Sequence, residues 1–551
     1  MTTSRSDLQR TAAEVFGWED FRPGQLEAME AAAAGRDVLC VMPTGAGKSA
    51  VYQVPGMAMP GTAVVISPLI ALQRDQADAI NEAAGAVRAY VLNSTESQGA
   101  WDEAWAAAAE DDDARRAKFL FLAPEQVTRE EIAERLRGLD VSLLVIDEAH
   151  CVSAWGHDFR PDYLQLGPLV ESLGRPVVAL TATAAPPVRA EIIEQLCMRE
   201  PLQVAQGFDR PNLHLGAGRY VEDEDKRRAI LEQVSALPGP GLLYVATRRE
   251  SEEYAERLQE AGVRADAYHS GRRKDDRERI HEQFLGDELD VVVATTAFGM
   301  GIDKPNVRFV VHADVPDSVD SYYQEIGRGG RDGQACEVFL HYRPEDLGLR
   351  RFFAAKAPDE DGLLQVLNAL KGRHNPVPAA QLREELDVGA RRLSGQLSLL
   401  EQSGSVEAGE DGYCYVSRRG GVDAAVQAAV EFSEQRENID SSRLEMMRQY
   451  AETTECRRRF LLNYFGEDAE DMCGYCDNCE RAEEQGEELG PQESEGPQPF
   501  PVQSTVTHPE WGPGMVMSYE EETVTVLFES EGYKTLSLEL VLEKELLKPG
   551  R

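Results

Sequence analysis

Three groups of residues in this chain have the types and the spacing to do chemistry. Thr44-Gly45-Ala46-Gly47-Lys48-Ser49 follows the apolar run Val38 to Val41 and opens a helix-forming stretch. A strand, a glycine-bearing loop and a helix start make a phosphate cradle. Backbone N–H groups surround the phosphates, Lys48 reaches the β/γ-phosphates, and the Ser49 hydroxyl is a magnesium ligand. The strict pattern asks for glycine where Met42 stands. Asp147-Glu148-Ala149-His150 closes a second apolar run, Leu143 to Ile146. There Asp147 is expected to hold magnesium and Glu148 to polarise the attacking water. On a lone helix this tetrad would read as surface charge; downstream of a phosphate loop it reads as catalysis. The third group is Cys456, Cys473, Cys476 and Cys479, sixteen residues separating the first from a Cys-x-x-Cys-x-x-Cys run. Four thiolates suit tetrahedral zinc with a structural role, whereas a Cys-x-x-Cys alone would also fit a redox pair.

These groups need a large scaffold. With 551 residues, 42% hydrophobic and 28% charged, the chain exceeds one ordinary core, and about three to five domains are expected. No apolar run approaches a membrane span, and Met1 to Arg10 is polar with no signal-peptide core, so a cytoplasmic place and no membrane partner are expected. In that reducing compartment the nine cysteines read as metal ligands before disulfides. The net charge of −40 argues at first against a nucleic-acid partner. Acid, however, is concentrated in stretches such as Glu110-Asp111-Asp112-Asp113, Glu222 to Asp225 and Glu480 to Glu495. Arginine collects at Arg391-Arg392, Arg418-Arg419 and Arg457-Arg458-Arg459. An acidic body with basic tracks is the consistent reading.

Short apolar runs alternate with amphipathic segments in two stretches. Val38 to Val41, Ala63 to Ile66, Lys118 to Leu122, Leu143 to Ile146 and Val177 to Leu180 form one set; Gly241 to Val245, Val291 to Ala294 and Phe309 to His312 form the other. Fully apolar short strands between helices predict parallel sheets covered on both faces, hence two α/β lobes, 1–207 and 208–347, meeting near Phe208 to Asn212. Asp361 to Leu370, Ala379 to Leu386 and Arg391 to Gln402 are predicted helices, followed by a hairpin over Ser405 to Val416 turning at Glu410-Asp411-Gly412. Residues 348–420 are thus a winged-helix candidate, or a plain helical connector. Helices over Ala424 to Gln435 and Ser442 to Tyr464 lead into a zinc subdomain, 421–482. Residues 483–499 read as an acidic linker, and alternation from Ser504 to Leu547 predicts a small β-barrel, 500–551.

Five motifs stand in the order found in superfamily 2 helicases: Phe21-Arg22-Pro23-Gly24-Gln25, Met42 to Ser49, Asp147 to His150, Thr181-Ala182-Thr183-Ala184, and Gln324-Glu325-Ile326-Gly327-Arg328-Gly329-Gly330-Arg331-Asp332-Gly333. The whole set resembles the RecQ DNA helicases, from about Leu8 to Leu347 and again in the cysteine module. Met42 is normal for that superfamily. The resemblance implies two RecA-like lobes, with Trp18 stacking on adenine and Arg22 and Gln25 reading its edge. It also implies Arg331 as the arginine finger, with Arg328 and Gln324 lining the same cleft. Charge logic agrees, because a γ-phosphoryl transition state needs cations from both sides.

Directly after the tetrad, Cys151 to Tyr163 is similar to the aromatic-rich loop of RecQ proteins. Trp155, His157, Phe159 and Arg160 are the expected DNA contacts, since bases stack on aromatic faces at about 1–3 kcal/mol each. Tyr163 suits a core place better. The winged-helix candidate departs from the family by preceding the zinc module; if it is one, Arg391 and Arg392 open its recognition helix and Tyr413 and Tyr415 lie on the wing or pack inward. The end of the chain, with His508-Pro509-Glu510-Trp511-Gly512-Pro513-Gly514, resembles the Tudor-like barrel closing UvrD/PcrA-type helicases. That implies a protein partner. An exposed Trp511 or Tyr533 is the expected anchor, since aromatics dominate interface energetics, although Trp511 equally suits the barrel core, and the acidic linker is expected to hold the barrel off the motor. The resemblance as a whole implies an ATP-dependent 3′-to-5′ DNA helicase acting on single-stranded and branched DNA in recombination and repair, using ATP, Mg2+ and Zn2+. An RNA-remodelling ATPase of the same superfamily, or a junction-binding protein with a gating ATPase, are the rival readings.

Overall fold

The computed structural model describes residues 3–43, 45–93, 95–127, 129–153, 160–205, 207–298, 304–348, 358–373, 375–409, 412–416, 420–467, 472–486, 498–502, 504–520, 523–528 and 531–550. The first lobe is built on β1 (Val38–Val41), β2 (Thr62–Ile66), β3 (Ala89–Leu92), β4 (Phe119–Leu122), β5 (Val141–Ile146), β6 (Val177–Thr181) and β7 (Leu202–Ala205). Every pairing is parallel, in the order β3-β4-β2-β5-β6-β1-β7. β1, β2, β4, β5 and β6 are buried along their whole length, because helices cover both faces and polar residues there would lose their water.

The chain then crosses to β8 (Leu213–Arg219), β9 (Gly241–Tyr244), β10 (Ala265–Tyr268), β11 (Val291–Ala294), β12 (Phe309–His312) and β13 (Cys336–Tyr342). These form a second all-parallel sheet in the order β10-β11-β9-β12-β13-β8. The expected two-lobe α/β class holds. The strands absent from the sequence reading include both edges of each sheet, β3 and β7 in the first, β10 and β8 in the second. Each edge strand carries half-exposed residues, so none reads as a continuous apolar run.

Helices Glu360–Leu370, Ala379–Leu386 and Ala390–Gln402 and the antiparallel hairpin of β14 (Val406–Gly409) and β15 (Gly412–Tyr415) share one core of Leu363, Leu367, Leu393, Leu397, Leu400 and Val406. Glu410 and Asp411 of the expected turn lie outside the described residues. Tyr413 and Tyr415 pack against that core, the inward of the two readings. Arg392, on the exposed side of its helix, is paired with Asp359 at 2.5 Å.

Three expectations about the C-terminal half are corrected. The stretches Ala424 to Gln435 and Ser442 to Tyr464 are not two helices divided at the polar residues 436–441. One 32-residue helix, Gly421–Glu452, runs through that stretch, and the break falls later, before a short helix Arg457–Tyr464. Polar residues on one face do not stop a helix; here the stop is where Asn478 donates to the carbonyls of Thr453 and Glu455, at 2.8 and 2.7 Å.

The C-terminal sheet, β16 (Thr505–His508), β17 (Gly512–Glu520), β18 (Thr523–Phe528), β19 (Gly532–Ser537) and β20 (Lys548–Pro549), is antiparallel, with its own core of Val506, Val516, Val524, Val526 and Phe528. It is not held away from the motor. β19 lies along the long helix, where Gln449 Nε2 donates to Thr535 Oγ1 at 3.0 Å. A Cβ on Gly532 would stand 2.1 Å from Ser442 Oγ, so the approach is as close as a glycine allows. Met517, Leu527 and Tyr533 join a buried cluster continuous with both lobes. Tyr533 is only 7% exposed, so it is not the exposed anchor expected from sequence, while Trp511, stacked on His508 at 4.0 Å, packs partly buried against the sheet's own core, the second of its two readings.

Candidate nucleotide cleft and metal centre

β1 delivers the phosphate loop between the lobes. Gly45 and Gly47 have φ of +81° and +76°, left-handed conformations that only glycine adopts without strain. Gln25 Nε2 donates to the carbonyls of Ala46 and Gly47 at 3.1 and 3.0 Å, and its Oε1 accepts from the Arg22 amide at 2.8 Å. The Arg22 guanidinium donates to the Gly45 carbonyl. Lys48 Nζ donates to the carbonyls of Met42 and Pro43 at 3.0 and 3.4 Å. Burial lowers the Lys48 pKa against the pull of Glu148 and Asp147. Ser49 stands at the N-cap of helix Ala50–Ala58 and makes no side-chain cap bond. Trp18 stacks on Phe16 with ring centres 4.6 Å apart. Thr44 lies outside the described residues.

β5 leads directly into Asp147, 7% exposed. Its Oδ2 accepts from Ser67 Oγ at 3.1 Å, its Oδ1 from the Glu148 amide at 3.0 Å, and its carbonyl from Tyr163 at 2.9 Å. Burial, then the neighbouring Glu148, push the Asp147 carboxyl up to about 7. A divalent cation is the partner that would hold that carboxylate ionised, and hard oxygen donors from Asp147 and Ser49 fit magnesium. His150 Nδ1 lies 2.9 Å from Thr181 Oγ1, which donates to the Thr183 carbonyl at 3.0 Å. The ring nitrogen is therefore the donor, and burial drives the imidazole pKa down to about 3, so it is neutral. This bond ties the Asp-Glu-Ala-His tetrad to the Thr-Ala-Thr loop.

The second lobe faces this floor through helix Val319–Ile326, which carries Gln324, and the turn after it. Arg210 donates to the carbonyls of Gly327 and Gly329 at 3.3 and 2.7 Å, and Asn212 to those of Gly330 and Gln334, both at 2.8 Å. The turn is thereby fixed from the interlobe crossing. Arg331 leans over the phosphate loop, its Cδ 3.5 Å from where a Cβ on Gly45 would be. Arg328 is 4% exposed and sits deeper. Between the lobes is a cavity of about 500 Å³ lined by Arg22, Gly45, Arg210, Arg331 and Glu467 among others. Three guanidiniums around a glycine-bearing loop suit a polyphosphate. Sequence reasoning missed Ser67, Arg210, Asn212 and Glu467, none of which stands in a run with a phosphate or metal pattern.

The sulfur atoms of Cys456, Cys473, Cys476 and Cys479 lie within 4.8 Å of one another. Cys473 and Cys479 Sγ are 3.7 Å apart, close to the ~3.8 Å edge of a tetrahedron with 2.3 Å zinc–sulfur bonds. Amides of Tyr475 and Cys473 point at the sulfurs of Cys473 and Cys456, both at 3.4 Å, as they would toward thiolates. The four residues fit one zinc ion. The arginines beside them form no basic track for a duplex. Arg457 makes a two-pronged pair with Asp477 at 2.7 and 3.1 Å. Arg458 donates to the Pro211 and Leu213 carbonyls and Arg459 to Glu455, so the motor and the module itself take all three. Of the expected DNA contacts, Trp155, His157 and Phe159 lie outside the described residues. Arg160 precedes the short helix Pro161–Leu164, its amide donating to the Cys151 carbonyl at 2.9 Å.

Comparison with known proteins agrees with this geometry. Family models match over 22–191 (DEAD/DEAH box helicase), 225–333 (Helicase conserved C-terminal domain), 421–480 (RecQ zinc-binding) and 504–543 (Protein of unknown function, DUF3553). Probable ATP-dependent DNA helicase RecS of Bacillus subtilis is 38% identical over 349 residues, 62% of this chain and 68% of that protein. This chain belongs to the RecQ family. ATP-dependent DNA helicase RecQ of Bacillus subtilis is 38% identical over 475 residues, 86% of this chain and 66% of that protein. RecQ of Pasteurella multocida is 34% identical over 482 residues, 86% and 62% of the two chains. The chain thus spans about two thirds of the length of these RecQ relatives. In fold it is similar to the helicase MrfA bound to DNA, with TM-score 0.51 and 16% identity, covering 76% of this chain and 63% of that one. Among the described residues no helix is long and apolar enough to cross a membrane.

Proposed function

We propose that this RecQ-family chain is an ATP-dependent DNA helicase that translocates 3′ to 5′ along one strand and opens duplex or branched DNA in recombination and repair, in the cytoplasm at the nucleoid. The observation that carries this reading is Arg331 of the second lobe lying over Gly45 of the first, above the Lys48 and Asp147 floor. A charge-stabilised phosphoryl transfer needs that opposition, and opening and closing it moves one lobe against the other. In this reading Thr44 to Ser49 cradle the phosphates, Asp147 and Ser49 hold magnesium, and Glu148 orients the attacking water. Gln324, Arg328 and Arg331 sense and stabilise the γ-phosphate from across the cleft. Trp18, Arg22 and Gln25 recognise the base. Trp155, His157, Phe159 and Arg160 contact the strand, and their closeness in sequence to Glu148 supports a link from DNA to hydrolysis. Zinc on the four cysteines holds the module that braces the second lobe. A protein partner at the C-terminal domain would meet Leu540 and Leu542 of the short helix Leu538–Glu543, 44% and 45% exposed.

Strand displacement on 3′-tailed and 5′-tailed duplexes tests the reading. ATP-dependent opening of the 3′-tailed duplex alone, lost in Lys48→Ala, is expected. Stimulation of hydrolysis by RNA with no displacement of DNA would favour the RNA-remodelling reading instead.

A further inference from the structure

The C-terminal sheet touches the helix that carries Gln324 and leads into the turn of the cleft arginines through a short chain of buried groups. Tyr533 of β19 stacks on Tyr464, ring centres 5.8 Å apart and planes 29° from parallel. The Tyr464 hydroxyl donates to Asp320 Oδ2 at 2.5 Å. Asp320 is 4% exposed, in the first turn of helix Val319–Ile326. Further along the same helix, Tyr322 meets Tyr450 of the long helix at 3.1 Å and Tyr323 donates to the Phe208 carbonyl at 2.6 Å. Gln324 belongs to this helix and Arg328 and Arg331 follow it directly. The helix is therefore held at three successive sites, and one of them is completed by a sheet some two hundred residues later in sequence.

From this chain of contacts we propose that the C-terminal sheet, through Tyr533, is a positioning element for ATP hydrolysis. It fixes Tyr464 on Asp320, and so sets where the helix presents Gln324, Arg328 and Arg331 to the cleft. The inference rests on the proposed ATPase reading. A buried tyrosine pair anchored on a charged hydroxyl–carboxylate bond has one good geometry, so loosening it displaces the helix start rather than letting it slide. Arginines that act only in the transition state respond to such a displacement in kcat more than in KM.

The test uses the full-length chain with Tyr533→Ala, Tyr533→Phe and Gly532→Ala, the last forcing β19 off Ser442. Zinc content, melting temperature and DNA-stimulated ATP hydrolysis are measured together. Expected are a fivefold or greater fall in kcat for Tyr533→Ala and Gly532→Ala with KM for ATP within twofold, one zinc retained, and recovery to within twofold of the parent in Tyr533→Phe, which keeps the ring. Parental kcat in Tyr533→Ala overturns the proposal. So does a fall in kcat matched by loss of zinc or by equal loss in Tyr533→Phe. A parent chain that hydrolyses no ATP with DNA overturns the ATPase reading itself, which is a distinct result.

Discussion

Arg331 and Gly45 face each other across the interlobe cleft, the arginine Cδ standing 3.5 Å from the position a Cβ on the glycine would take. A cation there meets the phosphates from the side opposite Lys48. Arg331→Ala is expected to lower kcat by about 10³-fold or more, the range of arginine-finger losses, with a smaller effect on nucleotide affinity. Steady-state hydrolysis beside binding of a fluorescent nucleotide measures both; equal losses would show a binding role instead.

Glu467 reaches the same cleft from the zinc module. Its Oε2 accepts from the Phe208 amide at 2.9 Å, Phe465 stacks on Phe208 with ring centres 4.8 Å apart, and Arg189 of the first lobe donates to the Phe465 carbonyl at 2.5 Å. One such hydrogen bond is worth about 1 kcal/mol, so Glu467→Ala should lower stability by about that amount. Glu467→Gln keeps an acceptor and should recover most of it. Denaturant unfolding checks this; equal stability in both variants and the parent would show that the bond to the Phe208 amide holds nothing.

Cys473→Ser should release about one zinc per chain and destabilise the module, because metal binding here is folding free energy. The Arg457–Asp477 pair buried behind it makes a matched prediction. Asp477→Ala leaves a guanidinium that is 3% exposed without its carboxylate and should cost about 3–5 kcal/mol. Metal analysis and thermal melts check the two; a zinc-free parent would refute the first.

His341 supplies a pH dependence. It is 1% exposed, sits 3.0 Å from the Tyr220 hydroxyl and 2.7 Å from Gln233 Oε1, and burial drives its pKa down to about 3. The unfolded chain takes up this proton below pH ~6.5 and the folded chain does not, so this group's contribution is complete above ~6.5 and falls as pH drops toward 3. At pH 5 the loss is about 2 kcal/mol relative to pH 7. Denaturant unfolding at the two pH values should show that difference shrink in His341→Gln; an unchanged difference would place the sensitivity elsewhere.

The phosphate loop, the tetrad, the cysteine spacing and the central apolar strands were all legible from the chain alone. Each is local: a few residues whose types suffice for one ligand, one turn or one buried strand, whatever surrounds them. Edge strands such as β3 and β10 were not legible, because a strand covered on one side carries no continuous apolar run. Nor could sequence say that Arg457 is spent on Asp477, that Glu467 reaches the Phe208 amide, or that Tyr533 is buried against Tyr464. A tyrosine on a β-strand reads equally as core or as docking anchor until its neighbour is known. Those neighbours lie 20 to 259 residues away. Packing alone chooses them, since a charged or aromatic side chain has many satisfactory partners and only the closed fold brings one within reach.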